Sequence, residues 1–420
     1  MAKRNKVRLL GLIILGGLVA ALVFHGVMRF GLHTGYPQNT FLFRADDRFN
    51  DFFNPLRGSF DRDPYNPDRI TFIGGYLPFG YVVAFLFSLV LPAQLSLALF
   101  LGGFLVFLGV YVTSNLQDLP ASRHLKDRLP ILGYAVCIAY LTYPTLFLVD
   151  RANLDGVILV LIALFALLYQ RGHLTLAVVV LSPAIAMKGY PAILLSLPLL
   201  DRRYKELLLA SFLAALLTLG GLAIFHDGMF AEAQKMVVSF QRASAIAFGA
   251  GSLVRFNSSL YTALLFLLGR LGADVAQNGL FNVAYLMGAA AVWAVCMLVM
   301  QMWKAPFWAR MSAVTALMIL LPQSSGDYRL VMLYPALMAF VNNPVTSKAD
   351  WVLTVVLGLL MVPKAYLTLE SDVNISLLLN PLLLTTLLLS TLALTRSEAI
   401  MTPLQAPTSV PKELRAEPRE

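Results

Sequence analysis

Apolar stretches of about 20 residues recur along this chain, each closed by a short polar break. A helix crossing a bilayer needs about 20 mostly apolar residues, so the pattern predicts a polytopic helical membrane protein. The strict two-residue alternation of a membrane barrel is not the pattern seen. Spans are expected at about 9–30, 94–115, 129–149 and 155–170. A fifth runs to Lys188, a sixth from Pro191 to Arg202, a seventh over 206–225 and an eighth over 279–303. A ninth reaches Pro322, a tenth returns to Lys348, an eleventh ends near Lys364 and a twelfth covers 374–395. Two more apolar runs, 77–91 and 257–270, are short, and the first carries Pro78 and Gly80. Parity with the loop charges makes both interfacial or re-entrant. The expected fold is therefore all-α, with about 12 transmembrane helices in one domain over residues 1–395. Residues 31–76 form a long polar loop with short interfacial helices, and 396–420 a polar, Pro-containing tail expected to be disordered.

Charge then orients the pattern. Lys3, Arg4, Lys6 and Arg8 precede the first span; Arg123, Lys126, Arg128, Arg171, Arg202, Arg203, Lys205, Lys304, Arg310 and Lys348 fall in alternate short breaks. The positive-inside rule puts these breaks and both termini in the cytosol. The first apolar run exceeds a signal-peptide core and reads as a retained helix. The expected location is the plasma (inner) membrane, with the long loops facing the exterior or periplasm. The formal charge of +9 is thus a topology signal and does not imply nucleic acid. Of the 420 residues 58% are hydrophobic and 13% charged, against about 25% charged in soluble domains. Cys137 and Cys296 lie inside apolar runs and suggest neither disulfide nor metal. His33, His124, His173 and His226 have no metal-ligand spacing.

Against this hydrocarbon background the outer polar residues need a reason. The 31–76 loop holds Asp46, Asp47, Asp51, Asp61, Asp63 and Asp68, about a quarter of the 23 acidic residues. Asp150, Arg151, Asn153 and Asp155 mark a second outer segment, Lys188 a third, Asn257 a fourth, and Asp327, Tyr328 and Arg329 a fifth. Charges near the hydrocarbon boundary tend to face a cavity and pair there. Any one Asp, or the Asp150–Arg151 neighbours, also fits a plain solvated or snorkelling pair. Lys188 is harder to explain so, because it sits in an apolar context at an outer turn. Carboxylates facing cations suit a charged substrate, and a lipid phosphate fits a membrane site. A transporter or flippase of lipid-linked glycans, or a polysaccharide polymerase, would share much of this. A transporter more often shows pseudo-symmetric halves with broken helices, which the sequence does not display. Asn257-Ser258-Ser259 matches a glycosylation acceptor pattern, given little weight here.

Several local patterns resemble the GT-C superfamily of integral membrane glycosyltransferases, in particular glycosyltransferase family 87. They are Asp51-Phe52, Asp63-Pro64-Tyr65, Tyr76-Leu77-Pro78, Asn153-Leu154-Asp155-Gly156, Lys188-Gly189-Tyr190-Pro191, Arg202-Arg203, Asn257-Ser258-Ser259 and Pro322-Gln323-Ser324-Ser325-Gly326-Asp327-Tyr328. The likeness covers about 30–345. It departs from the family pattern in lacking a second Pro after Tyr76 and a late His. The resemblance implies transfer of mannose or another hexose or pentose from a polyprenyl-phosphate donor to a glycan or glycolipid acceptor, with inversion. It implies an Asp general base in the first outer loop, here Asp51 with Asp47 second. Lys188, Arg151 and Arg329 are the expected phosphate-binding cations. Asp46, Asn153, Asp155, Asn257, Asp327 and Tyr328 are the expected sugar- or acceptor-binding groups. No metal and no cofactor are expected.

Overall fold

The computed structural model describes residues 3–60, 62–66, 75–116, 125–249, 256–273, 275, 278–343, 349–364, 366, 368–370 and 373–401. Asp61, Pro67, Asp68, Arg123, His124, Lys348 and the tail from 402 lie outside the described residues, as do the side chains of Lys126 and Arg128. The fold is all-α apart from one small ribbon. Helix α1 (Lys3–Gly26) continues into a π turn (Val27–Gly31). The first long loop contains a 3-10 turn (Ala45–Asp47) and α2 (Asn50–Phe60). There follow α3 (Pro78–Val90), α4 (Ala93–Leu116), α5 (Leu125–Tyr140), α6 (Tyr143–Arg151), α7 (Asp155–Gln170) and α8 (Leu174–Met187). A 3-10 turn (Tyr190–Leu195) leads into α9 (Ser196–Leu200), α10 (Tyr204–Ile224), α11 (Met229–Gly249), α12 (Leu260–Arg270), α13 (Gly279–Met302) and α14 (Phe307–Leu320). A third 3-10 turn (Asp327–Met332) opens α15 (Leu333–Val341), then α16 (Asp350–Leu360). The antiparallel ribbon of β1 (Thr368–Glu370) and β2 (Val373–Asn374) precedes α17 (Ser376–Met401), which runs past Arg396.

Each predicted span contains helix among its described residues, but helix length does not bear out a count of 12. Five helical segments among the described residues are long and apolar enough to cross a membrane: Lys3–Gly31, Ala93–Leu116, Tyr204–Ile224, Gly279–Met302 and Ser376–Arg396. The pair α5 and α6, bent by 46° at their junction, makes a sixth if taken as one span. The others are short: α7 has 16 residues, α8 and α14 have 14, α16 has 11 and α15 has 9. At 1.5 Å per residue even α7 measures about 24 Å, below a hydrocarbon core of about 30 Å. Burial gives the physical reason. Helix α14 is buried along most of its length from Trp308 to Leu320, and α15 from Leu333 to Val341 with the exception of Ala339. Non-helical backbone is tolerated at membrane depth where protein surrounds it, so interior helices can end early in turns. The long helices lie outside: only 22% of the apolar window of α10 and of α13 is buried.

Polar clasps tie the outer helices inward. Lys6 of α1 is fully buried, pairs with Asp350 of α16 at 3.0 Å and stands 4.3 Å from the Phe340 ring. The Lys364 ammonium donates to the carbonyls of Leu359 (2.7 Å) and Val362 (2.9 Å), satisfying the end of α16. At Gly221 of α10, a Cβ would stand 3.0 Å from the backbone carbon of Pro78, so only glycine lets α10 lie against the start of α3.

Candidate functional site

The site is assembled where α2, α6, α7 and α8 bring their ends together. Helix α2 begins just after Phe49, whose φ of +62° is unusual for an aromatic residue. The Phe49 amide donates to the Asp150 carbonyl at 2.9 Å, and Phe52 stacks on Phe100 at 5.4 Å. These contacts hold the turn and place Asp51 in the first turn of α2, where the helix dipole favours a carboxylate. On the facing side α6 ends at Arg151, and Ala152 reverses the chain in a left-handed conformation (φ +49°). Arg151 and Asn153 therefore both reach Asp51.

Arg151 bridges the two candidate bases. Its guanidinium lies 2.8 Å from Asp47 Oδ2 and 2.5 Å from Asp51 Oδ1, and also donates to the Asp47 carbonyl at 2.8 Å. Its other side packs 4.3 Å from the Phe43 ring. The second Asp51 oxygen accepts from Asn153 Nδ2 at 2.8 Å. Asp51 is thus held by two donors in fixed orientation, while its side chain keeps 17% exposure. Asn153 is the hub. Its Oδ1 accepts from the Asp155 amide (2.9 Å), the Tyr76 hydroxyl (3.1 Å) and Lys188 Nζ (3.4 Å).

Beyond Asn153 lies a buried cationic pocket. Lys188 Nζ pairs with Asp155 Oδ1 at 2.7 Å and stands 4.3 Å from the Tyr76 ring. Arg329 Nε is 3.7 Å from Asp155 Oδ2, and its guanidinium lies 4.5 Å from the Tyr190 ring. Asp155 Oδ1 is thus held by Lys188, but Asp155 Oδ2, Arg329 Nε and the Tyr190 hydroxyl make no hydrogen bond, and all three atoms are buried. Native proteins pair nearly all buried polar atoms. Three orphans in one pocket are the signature of a place prepared for a polar ligand.

The other expected site residues sit differently. Asp46 is 74% exposed and faces only Arg44, at 3.8 Å, turned from the cluster. Asp150 accepts from Arg48 Nε at 3.0 Å and from the Phe43 amide at 3.2 Å, bracing the loop from behind. Asp327 belongs to a separate node: it accepts from Ser258 (2.6 Å), Asn380 (3.1 Å) and Tyr143 (3.2 Å). Asn257 is buried and holds the Ser259 and Ser325 amides at 3.0 Å each, which fastens the turn before Arg329. Tyr328 links the two regions, its ring 5.7 Å from Lys188 Nζ and stacked 6.1 Å from Phe147. Site reasoning from the sequence missed Tyr76, Tyr190 and Phe43. Their signal was aromatic rings beside polar breaks, which membrane interfaces produce everywhere.

A second polar cluster joins the first loop to α11. Asp63, Asp227 and Glu232 bring oxygens within 4.8 Å of one another, close enough to share a cation. Lys235 fills that role: its ammonium lies 2.7 Å from Asp63 and 3.1 Å from Glu232, and also pairs with Asp227. Burial lowers the Lys235 pKa, but hydrogen bonds to Asp227, Asp63 and Glu232 outweigh it and hold the ammonium above the ordinary lysine range.

An apolar groove approaches the cationic pocket. It has a volume of about 530 Å³ and is lined by Ala192, Ile193 and Leu195 of the turn that begins at Tyr190, by Ala289 and Trp293 of α13, and by Pro322. The groove and the cationic pocket share the turn Tyr190–Leu195, whose first residue lies against Arg329.

No curated protein and no solved structure matches the chain. The family model for glycosyltransferase family 87 matches residues 73–323. That stretch includes Tyr76, Arg151, Asn153, Asp155, Lys188 and Asn257, and ends before Asp327, Tyr328 and Arg329; Asp46, Asp47 and Asp51 precede it. With more than half of its length matched, the chain belongs to glycosyltransferase family 87.

Proposed function

We propose that this membrane glycosyltransferase moves mannose, or another hexose or pentose, from a polyprenyl-phosphate donor to a glycan or glycolipid acceptor, with inversion. The observation that carries this reading is the buried pocket of Lys188, Arg329 and Asp155 with its three orphaned polar atoms. A sugar phosphate supplies what those atoms lack: anionic oxygens for Arg329 and Lys188, and hydroxyls for Asp155 and Tyr190. The adjoining groove, lined by Ile193, Leu195 and Trp293, suits the prenyl chain.

In the proposed mechanism an acceptor hydroxyl attacks the anomeric carbon, and the bond from that carbon to the phosphate oxygen breaks. Asp51 takes the hydroxyl proton as general base. Arg151 and Asn153 orient it, each through one carboxylate oxygen. The lipid phosphate leaves with an extra negative charge, and Lys188 and Arg329 stabilise it as it develops. The phosphate is already a good leaving group, so no general acid is needed. Asn153 touches both Asp51 and Lys188, so base and cations are one amide apart. The short interior helices then complete a 12-crossing topology only together with their connecting turns, with both termini cytosolic and the Asp51 end of the bundle outside, in the plasma (inner) membrane.

The test uses membranes carrying wild type or Asp51→Asn, supplied with radiolabelled polyprenyl-phosphate mannose and other prenyl-phosphate sugars. Transfer by wild type and a loss of about 10²–10⁴-fold in the variant at equal expression is the expected result. Activity surviving at Asp51→Asn and lost at Asp47→Asn moves the base. Use of no prenyl-phosphate donor, with a nucleotide sugar accepted instead, overturns the donor assignment.

A further inference from the structure

We propose a second anion site at the far end of the bundle, built to hold a phosphate group between Lys304 and Arg310. It is a cavity of about 240 Å³ whose lining includes Leu200, Asp201, Met300, Gln301, Lys304 and Arg310. Tyr169, which marks this end, follows Asp155 by 14 positions on the same helix. At 1.5 Å per residue the cavity therefore sits about 20 Å from the transfer site.

The charges in the cavity are not balanced. The Asp201 carboxylate is already committed on both oxygens: Oδ1 pairs with Arg310, and Oδ2 accepts from the Tyr169 hydroxyl at 2.5 Å. Arg310 meets Asp201 through Nη1, while its Nε is buried and makes no hydrogen bond. Lys304 stands at the rim in a left-handed turn (φ +47°), between the end of α13 and the start of α14. Two cations against one carboxylate leave a net positive charge in the lining. A phosphate group held in the cavity would balance it, meeting the Lys304 ammonium and the Arg310 guanidinium that line it. Guanidinium groups favour phosphate because their donors match its oxygens. Leu200 and Met300 make one wall apolar, and Leu298 and Met302, exposed on the same helix as Met300, continue α13 as an apolar surface. The same phosphate chemistry therefore comes from two sources, an anionic phospholipid headgroup with its tails along α13, or the free ion.

The experiment measures thermal unfolding of the purified full-length protein in detergent. Phosphatidylglycerol, phosphatidylcholine or inorganic phosphate is added to wild type, Lys304→Gln, Arg310→Lys and Lys188→Gln. Phosphatidylglycerol is expected to raise the wild-type midpoint where phosphatidylcholine does not. Lys304→Gln is expected to need at least tenfold more of it, while Lys188→Gln responds like wild type. An equal rise with inorganic phosphate supports the site with the free ion as its ligand. Equal responses to the two lipids, an undiminished response in Lys304→Gln, or loss of the response in Lys188→Gln each overturns the proposal. Lys304 is exposed and carries no ion pair among the described residues, so its variant remains informative if Arg310→Lys does not fold.

Discussion

At the scale of single residues, the site divides into groups poised to touch substrate and groups that hold them. Asn153 is the clearest of the second kind, contacting Asp51, Tyr76 and Lys188 with one amide. Asn153→Ala is expected to lower kcat of sugar transfer by about 10–100-fold with a smaller change in KM, because it releases the base and a cation together. Asn153→Asp places a carboxylate against Asp51 and is expected to be worse than alanine; equal kinetics for the two would refute the positioning role. Asp327 behaves otherwise. Ser258, Asn380 and Tyr143 would all lose this acceptor in Asp327→Ala, with Asn380 keeping Ser258 as a partner. Each unpaired buried group costs about 1–3 kcal/mol, so the midpoint of thermal unfolding should fall clearly. Were Asp327→Ala to keep wild-type stability while losing transfer, Asp327 would belong with the substrate groups. The residue types were legible in the sequence: Asp51, Arg151, Asn153, Asp155 and Lys188 stand out from apolar surroundings. Which of them meet was not, since Asp51 and Asp155 are 104 positions apart.

At the scale of elements, close packing sets the position of the site. Helix α10 approaches the start of α3 through Gly221, where an added Cβ would stand 2.9 Å from Pro78 Cβ and 3.0 Å from its backbone carbon. Backbone cannot step aside as a side chain can. Gly221→Val is therefore expected to cost about 1–3 kcal/mol through overpacking and to shift α3 away. Tyr76 lies two residues before α3, so transfer activity should fall further than stability alone explains. Normal activity in a folded Gly221→Val protein, read by a transfer assay beside a melting curve, would show that α3 does not set Tyr76. The Lys235 clasp works in the same way on α11. Lys235→Met removes the one cation shared by Asp63, Asp227 and Glu232 and leaves three carboxylates together. Faster proteolysis within 229–249 is the expected outcome, and cleavage no faster than wild type would count against the clasp.

At the scale of the whole molecule, long apolar helices surround short buried ones. The sidedness proposed above predicts how the two ends label. Asp46→Cys, at a position 74% exposed near the site, should react with a membrane-impermeant maleimide in intact cells. Arg203→Cys, exposed at the opposite end, should react only after permeabilisation. The reverse pattern would invert the molecule in the membrane and put the transfer site in the cytosol.

Hydrophobic periodicity by itself determined that this is an all-helical membrane protein, because burying apolar side chains in lipid while satisfying the backbone leaves little alternative. The basic breaks and apolar runs also placed many of the helices, but not α11, which lies outside every predicted span, nor the break between α5 and α6. Helix length escaped the pattern: a run such as 330–348 reads as one span, yet it begins as a 3-10 turn and its helix stops at Val341. Hydropathy records what is apolar, and lipid and protein interior are equally apolar, so it does not separate a crossing helix from a buried short one. Only the tertiary structure decided that Arg151 would bridge Asp47 and Asp51, that Asp155 would lie between Lys188 and Arg329, and that Asp46 would face away. Those pairings depend on helix ends converging from distant parts of the chain, and a local pattern carries no record of which ends will meet.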